Sequence, residues 1–337
     1  MIAAGQSLSR AERLAGALLG QALGDALGFV VEAEPPEVAS SYVRDVLLAG
    51  LAGDRGHPSY PFGQYTDDTQ LSRELLLSVR EARGWNPPVF AGRIAELVRS
   101  GLDVGAGEGT RAAALRLASG VSWRESGTPP PYAGNGSAMR APPLGVLFGQ
   151  SVDAMCRAAA EQSWITHRDP RCSAGAVAVA GAIRLATSPG TLEPRVFLEE
   201  LATWVEPEDG SMAAAVRRIF GWLGQAPAEA AESLRLARLD PNYADTWRGI
   251  SAFVVPSVVW SLYSFLRSPD DYWQAVCTAI AAGGDTDTTA GMTGSMVGAR
   301  VGPKGLPANL VPRVSDRGRW QAAELEALAH ECAHLVP

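Results

Sequence analysis

Two short runs of this sequence gather carboxylates and hydroxyls beyond what a loop ordinarily carries. The first, Tyr65-Thr66-Asp67-Asp68-Thr69-Gln70, stands directly before the apolar spacing Leu71, Leu75, Val79, which puts its acids at a helix start. The second, Gly283-Gly284-Asp285-Thr286-Asp287-Thr288-Thr289, also opens a helix, whose Gly291, Gly294 and Gly298 make a narrow face suited to close packing. Helix capping accounts for one acid in each run, Asp67 with Gln70 in the first and either aspartate in the second. It does not account for two aspartates interleaved with two threonines after a Gly-Gly turn. Together the runs supply four carboxylates and several hydroxyls, all hard oxygen donors, whereas the chain has only four histidines and its four cysteines form no CxxC pair. That set suits Mg2+ or Mn2+ and not a thiolate zinc site. If the runs meet, repulsion raises their pKa values and destabilises the fold unless cations intervene, and a two-metal centre with ions roughly 4 Å apart follows. Spacing along the chain does not decide whether they meet.

The elements that must position these groups read as helices. Leu14, Leu18, Leu19 and Ala22 form one apolar face, Leu71, Leu75 and Val79 another, and Ser173 to Ala186 repeats the pattern, while alternating strand-like runs are nearly absent. Ser9-x-x-Glu12 reads as a capping box, not as part of a signal peptide. Loops rich in glycine and proline lie between, at residues 52–64, 101–109 and 128–136. An all-α fold with functional loops follows. One domain is expected over 1–337, on the reading that motifs on both sides of residues 189–247 serve one site; that stretch, weaker in periodicity, reads as a peripheral helical excursion. With 337 residues, 47% of them hydrophobic, the chain buries a large core unaided by disulfides. A net charge of −7 argues against a duplex nucleic-acid partner. Scattered cysteines fit a reducing compartment, and the most apolar stretch, Ile250 to Tyr263, is too short to span a bilayer, so a cytoplasmic chain with no membrane partner is expected. Ile250 to Leu266 reads as a buried core helix.

Five stretches in order resemble the ADP-ribosylglycohydrolase family: Gly24-Asp25-Ala26-Leu27-Gly28 with Glu32, Thr66-Asp67-Asp68-Thr69, Gly134-Asn135-Gly136-Ser137-Ala138-Met139-Arg140, Thr166-His167, and Gly283-Gly284-Asp285-Thr286-Asp287-Thr288. The resemblance implies a compact single-domain orthogonal helical bundle, with a cleft formed by helix starts and loops that holds two divalent cations, Mg2+ or Mn2+. It implies metal ligation by Thr66, Asp67, Asp68, Asp285, Asp287 and Thr288, with Asp67 and Asp287 essential to turnover. Glu32 matches the family glutamate that handles a proton or positions water; from the residues alone it is a solvated acid in the run Glu32, Glu34, Glu37. Asp25 reads as structural, its carboxylate holding nearby backbone amides.

Glycine lets backbone N–H groups approach a diphosphate. On that ground Gly134 to Arg140, with Asn135, Gly136, Ser137 and Met139, is the first candidate cradle for ADP-ribose, and Gly105, Gly107 and Gly109 belong to the second. The second departs from the common Asp-Ile-Gly-x-Thr-Thr form. Arg140 is either a phosphate clamp or a structural residue, and His167 either lies near the adenosine end or is a helix-terminal histidine bonded to backbone. Tyr132 stands one position before the aromatic of some relatives, which puts adenine stacking in question. The implied activity is metal-dependent hydrolysis of the glycosidic bond between ADP-ribose and an acceptor, an arginine- or serine-linked protein or a small molecule. The alternatives are a catalytically silent ADP-ribose-binding member and a two-metal phosphohydrolase. Oligomeric state is not legible.

Overall fold

Ser9 begins the first helix as expected: its backbone N–H donates to Glu12 Oε2 at 2.8 Å and its Oγ accepts the Glu12 N–H at 3.2 Å. A computed structural model of the chain describes residues 8–188, 190–237, 239 and 247–336. In chain order the helices are α1 (Arg10–Gly28), α2 (Pro36–Tyr42), α3 (Asp67–Ala82), α4 (Pro87–Arg99), α5 (Glu108–Ala118), α6 (Pro142–Leu147), α7 (Val152–Trp164), α8 (Pro170–Ala186), α9 (Pro194–Val205), α10 (Gly210–Trp222), α11 (Pro227–Leu236), α12 (Val254–Arg267), α13 (Tyr272–Ala281), α14 (Thr286–Val301) and α15 (Ala322–Cys332). No strand occurs among the described residues, only isolated bridges between loops. The all-α, single-domain reading holds.

At the centre lie α1 and α14, packed against each other over their whole length. All of α1 is buried except Arg10, Glu12 and Arg13, so the run Arg10–Val31, long and apolar enough to cross a bilayer, is the core helix of this fold. It also displaces Ile250 to Tyr263 as the notable apolar stretch. The reason α14 carries a glycine face is now visible. Glycines recur every four residues on α1, at Gly16, Gly20, Gly24 and Gly28, and meet Gly298, Gly294, Ala290 and Thr286 of α14 in antiparallel order. A Cβ on Gly20 would lie 2.3 Å from the Gly294 carbonyl oxygen, and one on Gly294 would lie 2.3 Å from the Gly20 oxygen. Tyr272 of α13 donates its hydroxyl to the same Gly20 carbonyl at 2.7 Å.

The stretch read as a peripheral excursion is built into the core. Phe197 of α9 packs on Phe265 of α12 with ring centroids 5.8 Å apart, and Met212, Val216 and Ile219 of α10 are buried. The periodicity there is real: Phe197, Leu198, Leu201, Ala202 and Val205 occupy one face of α9. Within that stretch Pro189, Arg238 and residues 240–246 lie outside the described residues, as do residues 1–7 and Pro337 of the expected domain. The helix expected from Ile250 begins at Val254 and is buried from there to Leu266.

The contact between α1 and α14 makes its own prediction. Gly20→Val should cost about 3 kcal/mol or more in urea unfolding, since neither backbone can retreat from an added side chain without opening the helix pair. Gly92→Ala, on α4 with open space around it, should instead be neutral or stabilising by up to about 1 kcal/mol. Equal effects of the two substitutions would refute this packing.

Candidate active site

Both acidic motifs are referenced to α1. On one side Asp25 accepts hydrogen bonds from the backbone N–H of Thr66 (2.9 Å), the N–H of Thr69 (3.2 Å) and the Thr69 hydroxyl (2.6 Å), which fixes where α3 begins. This is the structural role expected of Asp25. Burial pushes its pKa up to about 7, with these donated hydrogen bonds pulling the other way. On the other side the chain leaving α1 pairs with the turn before α14: Ala33 N–H donates to the Gly284 carbonyl (2.8 Å) and Gly284 N–H to the Glu34 carbonyl (2.9 Å). Gly283 and Gly284 have φ of +67° and +83°, and a Cβ on Gly284 would lie 2.1 Å from the Ile250 carbonyl oxygen, so only glycine serves there. That oxygen accepts the Asp285 N–H at 2.7 Å.

The acids are not used up as caps. Thr66, not Asp67, is the N-cap of α3, accepting the Asp68 N–H at 3.3 Å. Gln70, read as part of a cap, instead clamps the next loop, accepting from Val104 N–H (3.0 Å) and donating to the Leu102 carbonyl (2.9 Å). Asp285 is the N-cap of α14 and makes no capping hydrogen bond with its side chain. Asp287 Oδ1 accepts the neighbouring Thr288 N–H at 2.8 Å, and its other oxygen, with the carboxylates of Asp67, Asp68 and Asp285, is not spent on a cap.

The two motifs meet. Glu32, Asp285 and Asp287 each present a carboxylate oxygen within 4.8 Å of the others, and the Thr288 hydroxyl reaches Asp68 Oδ1 at 3.4 Å across the cleft. Asn135 donates its amide to Asp285 Oδ2 and, at 2.9 Å, to the Ser257 hydroxyl. Burial, with repulsion from the neighbouring carboxylates, raises Asp67, Asp68 and Asp287 well above the usual carboxylate range; burial likewise raises Asp285. Glu32 is pushed up to about 7, by burial first and then by Asp285 and Asp25. Asp68 Oδ2 is buried with no hydrogen-bond partner. An orphaned carboxylate oxygen among like charges, in a donor set made only of oxygen, fits hard divalent cations.

The carboxylates line one wall of a cleft of ≈ 860 Å³, and the other wall is the two glycine-rich loops. Glu32, Asp67, Asp68, Asp285, Asp287 and Thr288 reach it, as do Gly105, Gly107, Gly109, Asn135, Gly136, Met139 and His167. Three expected site residues do not line it. Thr66 is 1% exposed, its hydroxyl held by the Asp68 N–H. Ser137 is wholly buried, its hydroxyl donating to the Cys172 carbonyl at 3.1 Å. Arg140 is wholly buried as well, its donors taken by Gln162, Thr166 and the Gly136 carbonyl, so it braces the loop from behind and is not a direct phosphate clamp. His167 is bonded to Thr166, not capped by backbone alone, and its ring stacks on Tyr132 with centroids 5.8 Å apart. Tyr132, Thr110, Ala252 and Trp247 also line the cleft. Nothing in the sequence marks Trp247; it reaches the cleft on the segment whose Ile250 pairs with Gly284, far along the chain. A second, more apolar cavity of ≈ 710 Å³ near Ala231 and Trp260 holds none of these carboxylates.

Comparison with known proteins agrees with this geometry. The family model described as ADP-ribosylglycohydrolase matches residues 6–337. ADP-ribosylhydrolase ARH3 of Xenopus tropicalis is 29% identical over 332 residues, covering 92% of this chain and 91% of its own. The ADP-ribosyl-[dinitrogen reductase] glycohydrolase of Rhodospirillum rubrum is 26% identical, covering 94% and 97%. A solved structure described as an ADP-ribosylglycohydrolase-related protein complex superposes with a TM-score of 0.71 at 26% identity, covering 97% of this chain and 99% of that one. With an all-α fold, an acidic cleft between two helix starts and a family match over nearly its whole length, this chain belongs to the ADP-ribosylglycohydrolase family.

Proposed function

We propose that the chain releases ADP-ribose from an ADP-ribosylated protein by hydrolysing the glycosidic bond at the anomeric carbon, with two divalent cations held between the helix starts. The observation that carries this reading is the convergence of Asp67, Asp68, Asp285, Asp287 and Glu32 on one cleft whose facing wall is glycine-rich backbone. Asp67 and Asp68 from α3, with Asp285, Asp287 and Thr288 from α14, would hold Mg2+ or Mn2+. Thr66 contributes as the cap that orients its two neighbours. The cations, when bound, supply positive charge for the ribose hydroxyls and make a bound water more acidic.

The chain's own groups account for the remaining steps. Glycosidic cleavage passes through an oxocarbenium-like state with positive charge on the ribose, and the surrounding carboxylates steady that charge. Glu32 is half-buried at the cleft and accepts the proton of the water that attacks the anomeric carbon. Asn135 holds Asp285 in place through its amide. The loops Gly105–Gly109 and Gly134–Gly136 offer close backbone approach to a diphosphate, with Met139 and His167 beside them. The acceptor departs with the bond's electron pair and takes up a proton. An arginine or serine side chain of a protein, or a small molecule, satisfies this chemistry.

Incubation with arginine-linked and serine-linked ADP-ribosylated peptides should release free ADP-ribose with Mg2+ or Mn2+ and lose it in chelator. Glu32→Gln should lower turnover by about 10²-fold or more while ADP-ribose still binds, and Asp287→Asn should remove both turnover and the metal response. Release of AMP plus ribose phosphate would point to attack on the diphosphate and overturn the reading. Stability supplies a second check. Carboxylates whose pKa is raised by folding favour the fold at low pH, and that contribution is lost as pH rises through the folded value, about 7 for Glu32. The melting temperature in chelator should therefore fall between pH 5 and pH 8, Asp68→Asn should reduce the fall, and Mn2+ should restore the wild-type protein only. A metal-free melting temperature that rises over that interval would contradict the assigned electrostatics.

A further inference from the structure

Behind the glycine-rich wall lies a chain of hydrogen bonds whose direction can be read. Arg140 is wholly buried and has no carboxylate partner among the described residues. It donates from Nε to Gln162 Oε1 (2.7 Å), from Nη1 to the Gly136 carbonyl (3.1 Å), and from Nη2 to the Gln162 carbonyl (2.8 Å) and Thr166 Oγ1 (2.8 Å). A guanidinium has donors only, so Thr166 Oγ1 accepts from it and must send its own proton elsewhere. The other partner of that hydroxyl among the described residues is His167 Nδ1, 2.7 Å away. Thr166 is wholly buried, so no solvent competes. Were Nδ1 protonated, the hydroxyl proton would be sealed in without an acceptor. Nδ1 therefore accepts, and in a neutral imidazole the proton then resides on Nε2.

Nε2 faces the cleft. A Cβ on Gly109 would lie 3.1 Å from it, and Cβ atoms on Gly134 and Gly136 would lie 3.3 and 3.4 Å away. It has no partner within the chain among the described residues. Burial, reinforced by the charge of Arg140, lowers the His167 pKa to about 3, which keeps the ring neutral. Beside it Tyr132 Oη accepts the Gly109 N–H at 3.1 Å, which leaves the phenol proton to donate outward as well.

We propose that Arg140 and Thr166 are positioning residues that lock His167 as the Nε2–H tautomer, so that it acts only as a hydrogen-bond donor to an acceptor oxygen of ADP-ribose. The identity of the ligand rests on the function proposed above; the tautomer does not. The cleft is then divided by polarity, with acceptors on the carboxylate wall and donors on the glycine wall.

The test uses the whole chain with 15N-labelled histidine. Long-range proton–nitrogen correlation spectra of the free protein at neutral pH should show the Nε2–H pattern for His167. In Thr166→Val that pattern should give way to a tautomer mixture, with ADP-ribose binding in Mg2+ weakened about 10-fold in calorimetry, and Thr166→Ser should restore both. An Nδ1–H or mixed pattern in the wild-type protein would overturn the lock whatever the variants do. Unchanged tautomer and affinity in Thr166→Val would overturn the role of Thr166, and a changed tautomer with unchanged affinity would overturn donation to the ligand. Wild-type protein that shows the Nε2–H pattern yet does not bind ADP-ribose would support the lock and count against the functional reading alone.

Discussion

The contact of α1 with α14 is backbone against backbone, and the site depends on it. At Gly16 and Gly298, and again at Gly20 and Gly294, each carbonyl oxygen occupies the volume where the facing residue's Cβ would sit. Glycine inside a helix sacrifices roughly 1 kcal/mol relative to alanine, so these residues are not there for helix stability. They set how closely two buried helices approach. That distance places Asp25 where it can hold the first turn of α3, and it brings the chain after α1, including Glu32, onto the turn that opens α14. Gln21, on the same helix, donates to the Asp68 carbonyl at 3.1 Å and the Met139 carbonyl at 2.8 Å, tying the acidic wall to the glycine wall. One helix thus acts as a common reference for both acidic helix starts and for the loop that carries Met139.

A frame of that rigidity explains how so much like charge survives in one place. Two helix N-termini point at the aspartates and offset part of their repulsion through the helix dipole, and Asn135 offsets more by donating to Asp285. The offset is incomplete, as the unpartnered Asp68 Oδ2 shows. Energy lost at the cluster is recovered in the apolar packing of α1, α8, α12 and α14, which are almost wholly buried. On the facing wall Glu108 does not line the cleft, and what does is glycine backbone, the Tyr132 hydroxyl and the His167 ring. A ligand that is rich in hydroxyls at one end and phosphate oxygens at the other matches such a division.

Much of this was legible in residue types and spacing, and the gaps have physical causes. The capping box at Ser9, the apolar faces of the helices and the small-residue face of α14 are local patterns, and local geometry realised them. Asp25 was legible for a similar reason, since a short carboxylate at a helix end finds backbone amides nearby. The partner of the α14 glycine face is not legible in the same way: Gly16, Gly20, Gly24 and Gly28 recur at a helical interval, but small residues add little to apolar periodicity, and spacing does not say which helix faces which. The cap of α3 falls to Thr66 in place of Asp67: Asp25 holds the Thr66 N–H and the Thr66 hydroxyl accepts the Asp68 N–H, an arrangement set by a contact with α1 that spacing does not encode. Arg140 reads equally as clamp or brace until its depth is known, and only long-range packing sets depth. Trp247 and the core role of α9 and α10 depend on contacts between segments far apart in the chain, which spacing does not encode.

The central claim is that the starts of α3 and α14 share divalent cations. Diffraction from crystals grown with Mn2+, recorded at the manganese absorption edge, tests it most directly. The account predicts two anomalous peaks roughly 4 Å apart, bounded by the carboxylates of Asp67 and Asp68 on one side and of Asp285 and Asp287 on the other. A cleft without anomalous density at millimolar Mn2+, or density bound to only one of the two helix starts, would contradict it.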